Sequence, residues 1–123
     1  MIKTVKMKDL KFDPSLFRPM STGRAIDAHF SSTKGIMRGT NYAIVGDPGV
    51  GKTTVMLDIL ADLHNKGQKV LFISGEMNSI DMYGYVKRYP KFGELPILFM
   101  GDYAEDNCLD TITEVLSGGW DCV

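Results

Sequence analysis

The chain has 123 residues, of which 44% are hydrophobic and 24% charged, so collagen-like and broadly disordered proteins are excluded and one globular domain is expected. No apolar run approaches the roughly 18 residues that a membrane-spanning helix requires. The N-terminus lacks the apolar stretch of a secretory signal, and two cysteines are too few for a disulfide scaffold. We therefore expect a cytoplasmic protein without a membrane partner, in the host-cell cytoplasm if its source is viral.

The charge is unevenly distributed along the chain. Residues 1–40 contain eight basic and three acidic side chains, a balance of +5, whereas residues 41–123 contain six basic and twelve acidic side chains, a balance of −6. A basic leading segment can attract nucleic acid or an acidic protein. An ordinary solvated surface is the favoured interpretation of the same charges.

The leading segment has few signals of regular structure. Residues 1–20 show weak periodicity and contain two prolines, which predicts an irregular or strand-bearing arm ahead of a core over 21–123. A short helix is predicted around 25–30, with turns at Gly35 and Gly39.

From residue 41 onward, apolar runs alternate with helical spacing. Strands are predicted at 41–45, 70–73, 96–100 and 120–123. Helices are predicted from near Gly51 to a C-cap glycine at Gly67, over 79–88, and over 109–116. This order of strand, helix and strand predicts an α/β fold, a mainly parallel sheet with helices on its faces.

The strongest signal is a glycine-rich loop after the first predicted strand. Its residues match G-x-x-x-x-G-K-[ST] at every fixed position and are followed by a second threonine: Gly46-Asp47-Pro48-Gly49-Val50-Gly51-Lys52-Thr53-Thr54. The glycines permit the tight curl and the close approach that bring several backbone N–H groups onto a phosphate. The helix that follows adds the positive end of its dipole.

The side chains at the end of this loop suit nucleotide chemistry. The Lys52 ammonium can contact the β- and γ-phosphates of a nucleotide, and the Thr53 hydroxyl can bind Mg²⁺. Thr54 is a candidate donor to the α-phosphate. The sequence therefore predicts a binding site for ATP and Mg²⁺.

A candidate catalytic carboxylate follows the second predicted strand, which ends in Ser74-Gly75-Glu76-Met77. Ligands of open α/β sheets bind outside the carboxyl ends of the strands. We therefore expect Glu76 to face the γ-phosphate and to activate a water for in-line attack. The alternative is an ordinary solvated acid, which the preceding phosphate loop makes the weaker interpretation.

Five segments together resemble the ATPase core of the RecA-like superfamily, and more narrowly the group of DnaB replicative helicase, RadA and KaiC: Thr22-Gly23, Ile26-Asp27, Lys34 to Gly39, Gly46–Thr54 and Val70–Met77. The resemblance implies a three-layer P-loop NTPase fold, ATP hydrolysis with Mg²⁺, homo-oligomeric rings or filaments, and often action on single-stranded DNA. The lead-in departs from the group, since Lys34-Gly35 stands where two glycines are usual.

The resemblance also bears on the last residues. In this superfamily a later strand ends in an aspartate that holds the Mg²⁺-bound water, and Asp121-Cys122-Val123 resembles the opening of that strand. We therefore expect an N-terminal fragment of the RecA-like core, with a sheet incomplete at its C-terminal end and poor activity by itself.

The favoured function is an ATP-hydrolysing motor domain of a DNA helicase or of a recombination and repair ATPase, with Lys52 and Glu76 as its catalytic residues. Two alternatives remain: a KaiC-like nucleotide-sensing regulator, and a P-loop kinase for a small substrate. The long lead-in before the loop disfavours the kinase. Tyrosines at 83, 85 and 89 alternate with charges, which indicates either base stacking or partial burial.

Overall fold

The computed structural model describes residues 2–11, 14–75, 77–103 and 107–123, and the chain divides into two compact units, Met1–Asn41 and Tyr42–Val123. Among the described residues, the α-helices and β-strands all lie in the second unit: α1 (Lys52–Asn65), β1 (Phe72–Ser74), α2 (Ser79–Arg88), β2 (Ile97–Phe99) and α3 (Cys108–Leu116). Short 3₁₀ segments occur in both units. None of the described helices combines the length and the apolar character needed to cross a membrane.

The first unit is built from turns rather than from long elements. Met20 and Ile36 are both buried and exchange two backbone hydrogen bonds of 2.8 Å in an antiparallel bridge. The short helix predicted around 25–30 is confirmed as a 3₁₀ helix, Ala25–His29. Residues 21–41 group with the first 20 residues, and the predicted domain boundary after residue 20 stays a prediction.

A buried carboxylate organises the turn that precedes this 3₁₀ helix. Asp27 accepts hydrogen bonds from the Ser21 hydroxyl at 2.6 Å, from the Thr22 hydroxyl and N–H at 2.7 and 3.0 Å, and from the Gly23 N–H at 3.3 Å. Burial raises the pKa of Asp27, but these hydrogen bonds to the ionised form outweigh burial and lower the pKa below its ordinary value. The carboxylate therefore holds the turn in its charged form.

In the second unit, α1 ends as the sequence predicts. Gly67 has a φ of +88°, which glycine adopts without the steric cost that a Cβ imposes. Its N–H donates to the His64 carbonyl, and the Gln68 N–H donates to the Leu63 carbonyl, both at 3.0 Å. These two bonds form a Schellman motif and confirm Gly67 as the residue that terminates the helix.

The two strands pair in parallel, as predicted, with Phe72 opposite Ile97 and Ser74 opposite Phe99. Helices α1 and α2 and the 3₁₀ segment Pro90–Glu94 join the strands through a buried apolar cluster of Leu57, Ala61, Met82 and Phe92. The partly buried side chains of both strands pack against this cluster. Apolar burial therefore holds the helices against the strands.

The first predicted strand is not formed: residues 41–45 have no strand structure, and Val45 is 88% exposed. A strand requires lateral partners, and within the described ranges no β-pairing involves residues 41–45, whereas run 70–74 is paired on both edges. The Leu71 N–H donates to Cys122, whereas the next N–H, that of Phe72, donates to Pro96 ahead of β2. Because successive N–H groups of a strand point to opposite sides, β2 and the segment at Cys122 flank this run on its two edges.

The last predicted strand, 120–123, is reduced to one parallel bridge between Val70 and Cys122. Local contacts at Lys69 hold this segment in place. The Lys69 N–H donates to the Asp121 carboxylate and the Asp121 N–H donates to the Lys69 carbonyl, each at 2.7 Å. The Lys69 ammonium also lies 4.7 Å from the centre of the Trp120 ring.

Candidate phosphate-binding loop

The loop that precedes α1 has the backbone geometry that its glycines predict. Gly49 and Gly51 have φ values of +81° and +97°, in the left-handed region that favours glycine. Gly46 is needed for a different reason, because a Cβ there would lie 2.9 Å from Cγ2 of Val50. The three glycines therefore serve two purposes, tight turning and close approach.

The Lys52 side chain folds back onto the backbone of the loop. Its ammonium donates to the carbonyl of Gly46 and, at 3.0 Å, to the carbonyl of Asp47. The Val50 N–H also bonds to the Asp47 carbonyl, at 3.4 Å. The positive charge is thus held within the curl of the loop, where an anion would meet it.

Helix α1 presents unsatisfied donors at this point. Gly51, its N-cap residue, has no side chain with which to cap the helix, and the Val55 N–H makes a 3.0 Å bond to the Gly51 carbonyl. The N–H groups of residues 52–54 precede that bond and have no acceptor within the helix. Residues 46–50 are exposed, so this helix end is open to a ligand.

This arrangement fits the phosphates of a nucleotide. Backbone N–H groups, the helix dipole and the Lys52 ammonium all favour negative charge at the same place. Thr53 and Thr54 are half-buried in the first turn of α1. A bound magnesium ion would be held by the Thr53 hydroxyl together with phosphate oxygens, and its charge would neutralise those phosphates.

The second predicted catalytic residue, Glu76, lies outside the described residues. On either side of it in sequence, the Ser74 hydroxyl donates to the Met77 carbonyl at 2.9 Å and accepts from the Met77 N–H at 3.2 Å. Ser74 is the last residue of β1, so both neighbours stand at the carboxyl end of that strand. No hydrogen bond or ion pair among the described residues joins them to loop 46–54.

A cleft of about 190 Å³ lies at the carboxyl ends of the two parallel strands. It is lined by Gly75, Met77, Asn78, Ser79, Phe99, Gly101 and Asp102. The cleft lies at the edge of the sheet where the sequence predicts ligands to bind. Asn78 stands three residues before Asp81, the pattern of a helix N-cap, and the two residues form a capping box at the start of α2.

Comparison with known proteins finds similarity to bacterial RadA. The chain is 35% identical over 82 residues to the DNA repair protein RadA of Campylobacter jejuni, an alignment that covers 67% of this chain and 17% of that protein. It is 48% identical over 42 residues to RadA of Helicobacter pylori and 45% identical over 42 residues to RadA of Bacillus subtilis, each covering 34% of this chain and 9% of the relative.

The aligned part of the chain thus spans less than a fifth of the length of these relatives. No protein-family model and no solved structure matches the chain. Over part of its length, the sequence is similar to RadA, which supports the RadA branch of the resemblance noted from the motifs.

Proposed function

We propose that this chain binds ATP and Mg²⁺ through residues 46–54 and belongs to a RecA-like ATPase that acts in DNA repair or recombination. The observation that carries the proposal is the loop geometry: two left-handed glycines, a third without room for a Cβ, and an uncapped helix start converge on Lys52. Similarity to RadA supports the link to DNA repair.

Three side chains of the loop and the carboxylate of Glu76 have roles in this proposal. Lys52 exchanges its contacts with the loop carbonyls for the β- and γ-phosphates, and Thr53 holds the magnesium ion. Thr54 donates to the α-phosphate. Glu76, which follows the carboxyl end of β1 in sequence, orients and polarises the attacking water.

The resemblance to RecA-like ATPases implies a fold, an assembly and an activity that we include in the same proposal. These are a three-layer RecA-like sheet, assembly of copies into a ring or filament, and ATP-driven movement on single-stranded DNA. Hydrolysis that increases several-fold with single-stranded DNA would support the motor, whereas hydrolysis indifferent to DNA would favour a nucleotide-sensing regulator.

ATP binding is tested by titrating the 123-residue chain with a fluorescent ATP analogue in the presence of Mg²⁺. Lys52→Ala removes a charge-assisted contact to phosphate, so we expect the affinity to fall about tenfold or more. Lys66→Ala, a change of an exposed lysine just past the end of α1, is the matched control and should leave affinity unchanged. Equal affinities for Lys52→Ala and the parent chain would contradict the loop assignment.

Glu76→Gln separates ATP binding from ATP hydrolysis. The amide keeps the size of the side chain but cannot act as a general base, so hydrolysis should fall about a hundredfold while ATP affinity is retained. An unchanged hydrolysis rate would show that Glu76 is an ordinary acid.

A further inference from the structure

One side of α2 faces away from the apolar cluster. We call this side the outer face, and it comprises Ile80, Tyr83, Gly84, Lys87 and Arg88. These residues recur at three- and four-residue spacing and therefore lie on one side of the helix. Ile80 is 78% exposed and Tyr83 67% exposed, and both basic residues are exposed as well. The opposite side of the helix carries Met82 into the apolar cluster. The outer face is thus an apolar and aromatic surface turned to solvent.

Positive charge is concentrated at the end of this face. Residues 41–123 contain six basic side chains, and three of them lie within residues 87–91 although the segment as a whole is acidic. Lys91 is paired with Asp58 of α1. Within the described ranges, neither Lys87 nor Arg88 has an acidic partner. The Arg88 Nε donates to the Gly84 carbonyl at 3.4 Å, and the guanidinium carbon lies 5.0 Å from the centre of the Tyr85 ring. The outer face therefore offers two cations to an anionic ligand.

Gly84 supplies an independent indication. It stands inside α2, where glycine is less favourable than alanine because its backbone loses more freedom on folding. A Cβ built on Gly84 meets no atom within 4 Å, so the internal packing of the described chain does not require a glycine there. Because Gly84 has no side chain, nothing projects from the helix backbone at this position beside Tyr83 and Arg88. A ligand can therefore approach the backbone closely there.

We propose that the outer face of α2 binds single-stranded nucleic acid. Tyr83 stacks on a base, Lys87 and Arg88 contact phosphates, and Gly84 lets the strand lie close to the helix. An aromatic ring and two cations within residues 83–88 of α2 match a polymer in which flat bases alternate with phosphates. This deepens the proposed function, on which it rests, because it gives the ATPase a surface for its nucleic-acid partner.

Binding is measured by the fluorescence anisotropy of a labelled oligothymidine of about 20 nucleotides, titrated with the 123-residue chain at several salt concentrations. Tyr83→Ala should weaken binding about fivefold or more, since one base loses its stacking partner. The double change Lys87→Ala and Arg88→Ala should make the slope of log affinity against log salt concentration shallower, by the amount expected for the loss of about one to two phosphate contacts. Tyr103→Ala and Lys66→Ala alter exposed residues elsewhere and should leave affinity and salt dependence unchanged.

Gly84→Ala is the more discriminating variant, because it should change thermal stability and oligothymidine affinity in opposite directions. Alanine should raise the melting temperature by improving helix propensity, yet weaken oligothymidine binding several-fold by blocking close approach. A merely structural role would move both quantities together or leave binding unchanged.

The outcomes separate this inference from the ATP site. Oligothymidine affinity that is the same in the parent, Tyr83→Ala and Gly84→Ala chains would overturn it. So would self-association that Tyr83→Ala abolishes while oligothymidine affinity is kept, since the face would then bind a second copy. Parallel titration with the ATP analogue identifies the other failure: unchanged ATP binding by Lys52→Ala would contradict the loop assignment, which is a different result from unchanged oligothymidine affinity in the α2 variants.

Discussion

Gly51 sets the direction of the chain at the junction of loop and helix. Its φ of +97° places it in a region that costs a residue with a Cβ about 1–2 kcal/mol. The conformation points the first N–H groups of α1 toward the loop, and the next residue, Lys52, folds back onto the carbonyls of Gly46 and Asp47. One backbone angle thus brings the lysine and the helix end together.

Gly51→Ala should therefore affect both folding and ligand binding. We expect the free energy of unfolding to fall by about 1–2 kcal/mol, with a weaker affinity for the ATP analogue because the N–H groups are misdirected. Urea denaturation and ATP-analogue titration measure the two effects. Gly75→Ala is the control for stability, since a Cβ there meets nothing within 4 Å and its φ is not in the left-handed region. A Gly51→Ala chain with unchanged stability and ATP affinity would remove the need for the left-handed turn.

The helices of the second unit begin and end on local signals. At the start of α2, the Asn78 side chain accepts from the Asp81 N–H at 3.0 Å and the Asp81 carboxylate accepts from the Asn78 N–H at 3.1 Å. At the start of α3, the Asn107 side chain accepts from the N–H groups of Leu109 and Asp110. Such caps satisfy donors that the helix cannot satisfy itself, which is why sequence alone locates these helices well.

Asn78→Ala should destabilise the second unit by about 1 kcal/mol, because the Asp81 N–H loses its acceptor. The urea midpoint, followed by the fluorescence of the single tryptophan, Trp120, measures the loss. Asn65→Ala changes an exposed asparagine at the last position of α1 and should shift the midpoint much less. If Asn78→Ala and Asn65→Ala give the same midpoint, the capping box contributes nothing to stability.

At the scale of the whole molecule, the two units rely on different kinds of contact. The first unit depends on polar bonds gathered around Asp27 and on the bridge between Met20 and Ile36. The second unit depends on an apolar cluster and on pairing between segments far apart in sequence, such as Lys69 with Asp121. The polar unit should therefore respond to pH through its buried carboxylate.

The first unit should lose protection in acid. The pKa of Asp27 is lowered in the folded chain, so its stabilising contribution is present above the ordinary carboxyl pKa of 3.8 and is lost as the pH falls below that value through the folded pKa. Hydrogen exchange at the Met20 and Ile36 amides, corrected for intrinsic rates, measures this. Asp27→Asn should lower the protection of both amides already at neutral pH and should remove the acid-dependent step.

Asp9→Asn changes an exposed acid of the same unit and should retain the acid-dependent step of the parent chain. Protection that is equal in the Asp27→Asn and parent chains from neutral pH into acid would contradict the role given to the buried carboxylate.

The sequence by itself determined the features that depend on neighbours along the chain. Loop 46–54, the glycine end of α1 and the bounds of α2 follow from glycine angles, caps and helical periodicity, all of which act within a few residues. Most of the candidate ATP site was therefore predictable. The set of residues that line the cleft at the carboxyl ends of β1 and β2 was not, because they come from segments that only folding brings together.

Tertiary structure alone decided which apolar runs became strands. The residues of runs 41–45 and 70–73 both predict a strand. Only the second run forms one, because it lies between β2 and the segment at Cys122. A helix closes its hydrogen bonds within itself, whereas a strand acquires its bonds from partners distant in sequence. Local residues therefore determine a helix, but a strand forms only where the fold supplies an edge to pair with.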